Sequence, residues 1–202
     1  MKKEIFLSFR PEFFRPILYD IKKYEYRKRF CKVPTKAYLY LSSPIKKVIG
    51  IMELGVPIDL NIIEENYRDK KEIHNRIIST LNGKEKYAIP IESFTLYKRP
   101  IAISELKDID SSFNVPQCYL NMENFKNVHN FLKSQETYEP EFYNLHDKIY
   151  DDNFCMTCKE MEFTEEFELK DNIYTKNNKY CDIECGYIKK KGRSRWKMFI
   201  TH

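Results

Sequence analysis

Four cysteines stand in two pairs near the end of a 202-residue chain: Cys155 and Cys158 form a CxxC, and Cys181 and Cys185 follow after 22 intervening residues. Four thiolates on two tight turns suit tetrahedral zinc, and they leave no open coordination position, so a zinc held there is structural. His146 lies close before Cys155 as a possible substitute ligand. No βαβ pattern surrounds the CxxC, which argues against a thioredoxin-like redox pair. A second constellation is IKKYEYRKRF, residues 21–30. Read as a strand, it sets Tyr24, Tyr26 and Phe30 on one face and Lys23, Glu25, Arg27 and Arg29 on the other. Such cations can grip phosphate, while a carboxylate among them accepts from a base amino group. The plainer alternative is a set of cross-strand ion pairs worth under about 1 kcal/mol. A third is the basic run 187–197, where Lys191, Arg193, Arg195 and Lys197 offer charge and Trp196 offers a stacking ring. A solvated basic end is the plainer reading there.

Elements must position these groups. EIFLSF (4–9) alternates as a strand, and Phe13, Phe14, Ile17 and Leu18 suit a helix begun at Pro11 and interrupted at Pro16. Three β-rich runs follow at 23–29, 36–43 and 46–54, separated by turn residues, which predicts a curled or closed sheet. Between Ile58 and Leu81 the apolar period lengthens to that of one or two amphipathic helices, ending near Gly83. Residues 87–103 and 113–121 return to strand patterning. Phe125, Val128, Phe131 and Leu132 predict one helix over 122–135, expected to leave the barrel. A polar connector then leads to the cysteines, where Asp182 is expected to cap a closing helix. The organisation expected is 1–122, a first domain; 123–150, helix and connector; and 151–202, a small zinc module with a basic tail.

Thirty-five lysines and arginines against thirty acids give a net charge of +5, which permits an anionic partner without demanding one. Fifteen tyrosines and fourteen phenylalanines against five glycines supply core and leave rings for stacking. No apolar run has the length of a signal peptide or a membrane span, so a cytoplasmic or nuclear protein is expected, with no membrane partner. Reduced cysteines fit that compartment, with Cys31 and Cys118 standing apart from the cluster.

In order along the chain, FLSFRPEFFRPILYDIKKYEYRKRF, YLYLSSPIKKVIGIMELG, KYAIPIESFTLYKRPIAISEL and PQCYLN resemble an ASCH domain of the PUA-like superfamily over residues 1–122. The pattern carrying the resemblance is Lys22 (or Lys23), Glu25 and Arg27, followed by Ser42, Ser43 and Pro44. It implies an α+β fold, a PUA-like small β-barrel with flanking helices, followed here by a helix and a small zinc-binding module. It also implies a polar cleft for RNA or a modified nucleoside, with Lys22, Lys23, Glu25, Arg27, Arg29, Ser42 and Ser43 as ligand-binding candidates. Within that cleft Glu25 is the expected base reader, and Lys22, Arg27 and Arg29 the expected grips on the backbone. Where this chain has Glu25, amidohydrolase relatives acting on acetylated cytidine carry a threonine nucleophile. A glutamate cannot inherit that attack, although it can serve as a general base. Two readings therefore stand side by side: a binder of RNA or a nucleotide, with DNA also possible, and a hydrolase of a modified nucleoside or of RNA with Lys22 and Glu25 as its acid/base pair. An adaptor docking a protein partner through the cysteine module is a third.

Overall fold

The computed structural model describes residues 2–138 apart from 11–13, 15–16, 18–21, 44 and 70, together with the backbone of 142–143, 183–190 and 193–200. The alternating run Lys3–Phe9 forms β1, which lies parallel to β3 (Thr35–Leu41), with Lys3 opposite Thr35 and Phe9 opposite Leu41. β4 (Lys47–Leu54) pairs antiparallel with β3, and the long β6 (Tyr87–Ala102) pairs antiparallel with β4. The short β2 (Tyr24–Arg27) and β7 (Tyr119–Asn121) complete the order β2-β6-β4-β3-β1-β7, while β5 (Ile58–Asp59) and β8 (Phe142–Tyr143) add to β6. All three expected β-rich runs between 23 and 54 form strands. Of the expected strand over 113–121, only the last three residues pair.

Both faces of this sheet are buried. Along β1, Ile5, Leu7 and Phe9 enter one apolar cluster with Ala37, Leu39, Leu41, Phe94 and Leu96, whereas Phe6 enters another with Tyr38, Tyr40, Val48 and Tyr97. The parity of a strand forces that division. Phe14 and Ile17, the described residues of the first helical segment, are fully buried in the first cluster, as their spacing predicts.

A helical insertion follows β5. Asp59 caps α1 (Leu60–Asn66) by accepting from the Asn61 backbone N–H, and α2 (Lys71–Asn82) runs on to Gly83, where the sequence places its end. Leu60, Ile63 and Ile77 pack with Tyr24 and Ala88 in a third cluster, which seats the insertion against β2 and the start of β6. A short α3 (Ile103–Ile109) follows β6, whose strand patterning extends to 103 and predicts no helix here. Glu105 is the signal that was there to use. It accepts from the Ala102 N–H at 2.8 Å and pairs with Arg99 at 2.7 Å.

The last helix of this region corrects an expectation. A 3₁₀ turn at Met122–Asn124 leads into α4 (Lys126–Lys133), which packs onto the sheet instead of leaving it. Met122, Val128 and Leu132 are buried in the second cluster, and Tyr97 donates to the Leu132 carbonyl at 2.9 Å. Polar contacts fix the helix further: Glu4 on β1 lies 2.8 Å from Lys133 Nζ and 2.7 Å from His129 Nε2, and accepts from Tyr38 at 2.8 Å. Burial pushes the Glu4 carboxyl up, but these three partners outweigh it and hold it down at about 2. The apolar stripe of α4 found its place on a sheet face where Tyr38, Tyr40 and Tyr97 join Phe6 and Val48, and alternation alone did not mark those tyrosines as apolar.

Candidate functional site

The sheet order puts β2 at one end and β7, beside β1, at the other. The sheet curls into a half-barrel, and Arg27 spans the gap between those ends. From β2, its Nη2 donates to the Ser8 carbonyl of β1 at 3.0 Å, and its Nη1 lies 3.7 Å from Cys118 Sγ, just before β7. Its Nε donates to Glu25 Oε1 at 2.7 Å. Burial works against the Arg27 charge, but Glu25 and Cys118 offset it and raise the guanidinium above its usual range.

Glu25 is held from its other side by Lys22. The Lys22 ammonium donates to the Tyr24 carbonyl at 2.7 Å, lies 3.3 Å from Glu25 Oε2 and sits 5.0 Å from the centre of the Tyr26 ring. The Lys22 side chain is 3% exposed and that of Glu25 8%, so both charges are desolvated and held by each other. A cleft of roughly 580 Å³ opens over the three; Ser8, Ser42 and Gln117 lie on the barrel side, and Thr80 and Glu85 come from the helical insertion.

The structure thus gathers Lys22, Glu25, Arg27 and Ser42 and leaves others out. Ser43 is exposed, and neither it nor Lys23 lines the cleft. Strand parity groups Lys23 with Glu25, but Lys22 precedes β2 and its ammonium folds over the Tyr24 carbonyl. Arg29 is exposed and lines a neighbouring groove with Lys28, Phe30, Lys84, Lys86 and Tyr87. Phe30 lies past the end of β2 and packs in the first cluster against Tyr119, apart from Tyr24 and Tyr26 in the third. Sequence reading missed Ser8, Cys118, Thr80 and Glu85. Ser8 alone carried a signal, as a polar residue within an apolar strand.

Of the cysteine cluster, Cys155, Cys158 and Cys181, with His146, lie outside the described residues, as does Lys191. Cys185 lies on β9 (Ile183–Lys190), which pairs antiparallel with β10 (Arg193–Ile200), and its register partner is Met198. This strand stands where a closing helix was expected; Ile183, Tyr187 and Ile188 are better strand than helix formers. The register puts Arg193, Arg195 and Lys197 at positions on one face of the hairpin and Trp196 on the other, opposite Tyr187. Among the described residues no group of three or more histidines, cysteines or acids is placed to hold a metal ion, and no helix is long and apolar enough to cross a membrane.

No protein-family model matches the chain. An ASCH domain-containing ribonuclease of Zymomonas mobilis is 29% identical over 121 residues, which cover 57% of this chain and 82% of that protein. The crystal structure of a point variant of the ASCH protein from Zymomonas mobilis superposes with a TM-score of 0.50 at 24% identity, over 67% of this chain and 98% of that one. The chain shares the ASCH fold. The curled mixed sheet with a few helices thus matches the ASCH/PUA-like fold that the sequence resemblance implied, as a half-barrel where a small β-barrel was expected.

Proposed function

We propose that the protein acts on RNA, holding a ribonucleotide in the cleft and cleaving the strand beside it. The observation that carries this reading is Glu25, a buried carboxylate fixed by Arg27 at 2.7 Å and Lys22 at 3.3 Å on the floor of an open cleft. RNA brings its own nucleophile. When the 2′-oxygen attacks phosphorus, its proton must be accepted, the charge on the phosphorane oxygens must be stabilised, and the departing 5′-oxygen must gain a proton as its bond to phosphorus breaks. Glu25 is the base for the first step, Lys22, 3.3 Å from it, is the proton donor for the others, and Arg27 holds Glu25 in position. The products are a 2′,3′-cyclic phosphate and a 5′-hydroxyl. A relative of 29% identity named as a ribonuclease supports the same reading.

A second reading, binding without turnover, is favoured by one observation: both Glu25 oxygens already have cationic partners within the protein. Incubation with a single-stranded RNA, the same sequence in DNA, and an RNA carrying 2′-O-methyl groups separates the two. Cleavage of the unmodified RNA alone is expected, falling by about 10²–10³-fold in Glu25→Gln compared at equal folded fraction. Intact RNA that nonetheless binds in a Glu25-dependent way leaves only the binder. A protein that neither cleaves nor binds removes both.

The cysteine module belongs to the same proposal. Cys155, Cys158, Cys181 and Cys185 would hold one zinc ion as four thiolates, stapling a segment that the first domain's core does not supply. Native mass spectrometry is expected to show one zinc per chain. A metal-free protein whose four thiols all react freely with a thiol reagent would exclude the zinc.

A further inference from the structure

Beside the cleft runs a second, shallower groove of roughly 450 Å³. Four of its lining residues, Lys28, Arg29, Lys84 and Lys86, are cations, the other two are Phe30 and Tyr87, and none is acidic. All four cations are exposed. A surface that merely keeps a protein soluble intersperses both signs. Lys28 lines the cleft as well as the groove, so the two meet there.

The loop that supplies the other two lysines is stitched to the strand of the candidate site. The Lys86 N–H donates to the Arg27 carbonyl at 3.1 Å, and Tyr87 is the register partner of Arg27. Along this loop Gly83 and Glu85 border the cleft while Lys84 and Lys86 border the groove. Lys84 holds a left-handed backbone with φ of 74°, a conformation glycine takes without steric penalty. Lys86 lies 3.7 Å from Asp59 Oδ2 yet stays half exposed, so its charge remains available to solvent.

The geometry points to this groove as the track for the phosphates that flank the bound nucleotide. A single strand whose reacting nucleotide lies over Glu25 crosses Lys28 and lays its next phosphates against Arg29, Lys84 and Lys86. The inference rests on the RNA reading of the cleft, adds the path taken by the flanking phosphates, and gives Arg29 its role outside the cleft.

Binding of fluorescent RNAs to the full chain tests it: a dinucleotide, which reaches only the cleft, and a single strand of about twelve nucleotides, long enough for both. Both carry 2′-O-methyl groups so that they stay intact. The triple variant Arg29→Gln, Lys84→Gly, Lys86→Gln changes exposed side chains only, and glycine at 84 suits the backbone there. Its affinity for the long RNA is expected to fall about tenfold, and the slope of log affinity against log salt to shrink by about 2, at roughly 0.7 for each of three phosphate contacts. Dinucleotide affinity should not change. If long-RNA binding depends on Glu25 but ignores the triple variant, the groove inference is overturned and the cleft reading stands; if the unaltered protein binds neither RNA, both are lost.

Discussion

Glu25→Ala is expected to lower the unfolding free energy by about 3 kcal/mol, because it removes a carboxylate 3.3 Å from the buried Lys22 ammonium and 2.7 Å from Arg27. Lys22 is 3% exposed; it also donates to the Tyr24 carbonyl and sits over the Tyr26 ring. Neither the carbonyl nor the ring carries the full negative charge that Glu25 supplies, so its loss weakens the compensation for desolvating Lys22. Lys22→Met alone should cost less, since Glu25 keeps Arg27 at 2.7 Å. The double variant Lys22→Met, Glu25→Ala removes both charges and should be more stable than the sum of the single effects allows. Urea unfolding of the four proteins forms a double-mutant cycle, and a coupling of about 1–3 kcal/mol is expected. Strictly additive effects would show that the two side chains do not form a pair. The same cycle separates stability from function: the double variant can regain much of its stability, yet it has lost both groups assigned to proton transfer.

How much of this site was legible in the sequence depends on how far apart its parts lie. Glu25 and Arg27 alternate on one strand, so parity alone put them on one face. Lys22 required knowing where the strand begins, because parity favours Lys23. Ser8 and Cys118 lie 19 and 91 positions from Arg27 and meet it only through the curl of the sheet. Periodicity describes a segment, while that curl is a property of the whole sheet. The same limit explains α4. Its stripe of Val128 and Leu132 was visible, but the cluster receiving it includes Tyr38, Tyr40 and Tyr97 beside Phe6 and Val48, and tyrosine rings pack while their hydroxyls seek partners. Near the C-terminus the reading followed the cysteines and took the following residues for a helix, where the β-branched and aromatic residues of 183–190 instead pair with 193–200.

Gly50→Ala is expected to destabilise the protein by about 3 kcal/mol or more, although alanine is the better residue for an ordinary strand by roughly 0.5–1 kcal/mol. At Gly50 the ladder between β4 and β6 shifts register, and the two backbones approach more closely than a side chain permits. A methyl group there would overlap the Thr95 carbonyl oxygen and lie 2.9 Å from Leu96 Cα. Both obstacles are backbone, so no rotamer change relieves the clash, and β6 itself must move. β6 pairs with four strands, including β2, on which Glu25 faces Ile89 and Arg27 faces Tyr87. A displaced β6 therefore carries the cleft with it. Gly55→Ala is the control: the added methyl meets the Glu92 side chain at 2.9 Å and the Pro90 ring at 3.2 Å, and a glutamate side chain can turn aside. Thermal unfolding should rank Gly50→Ala far below Gly55→Ala, and RNA binding should fall in the same order. Equal melting of Gly50→Ala and the parent would mean that β4 and β6 do not approach at Gly50, and β2 would then lose the rigid neighbour on which the position of Glu25 depends.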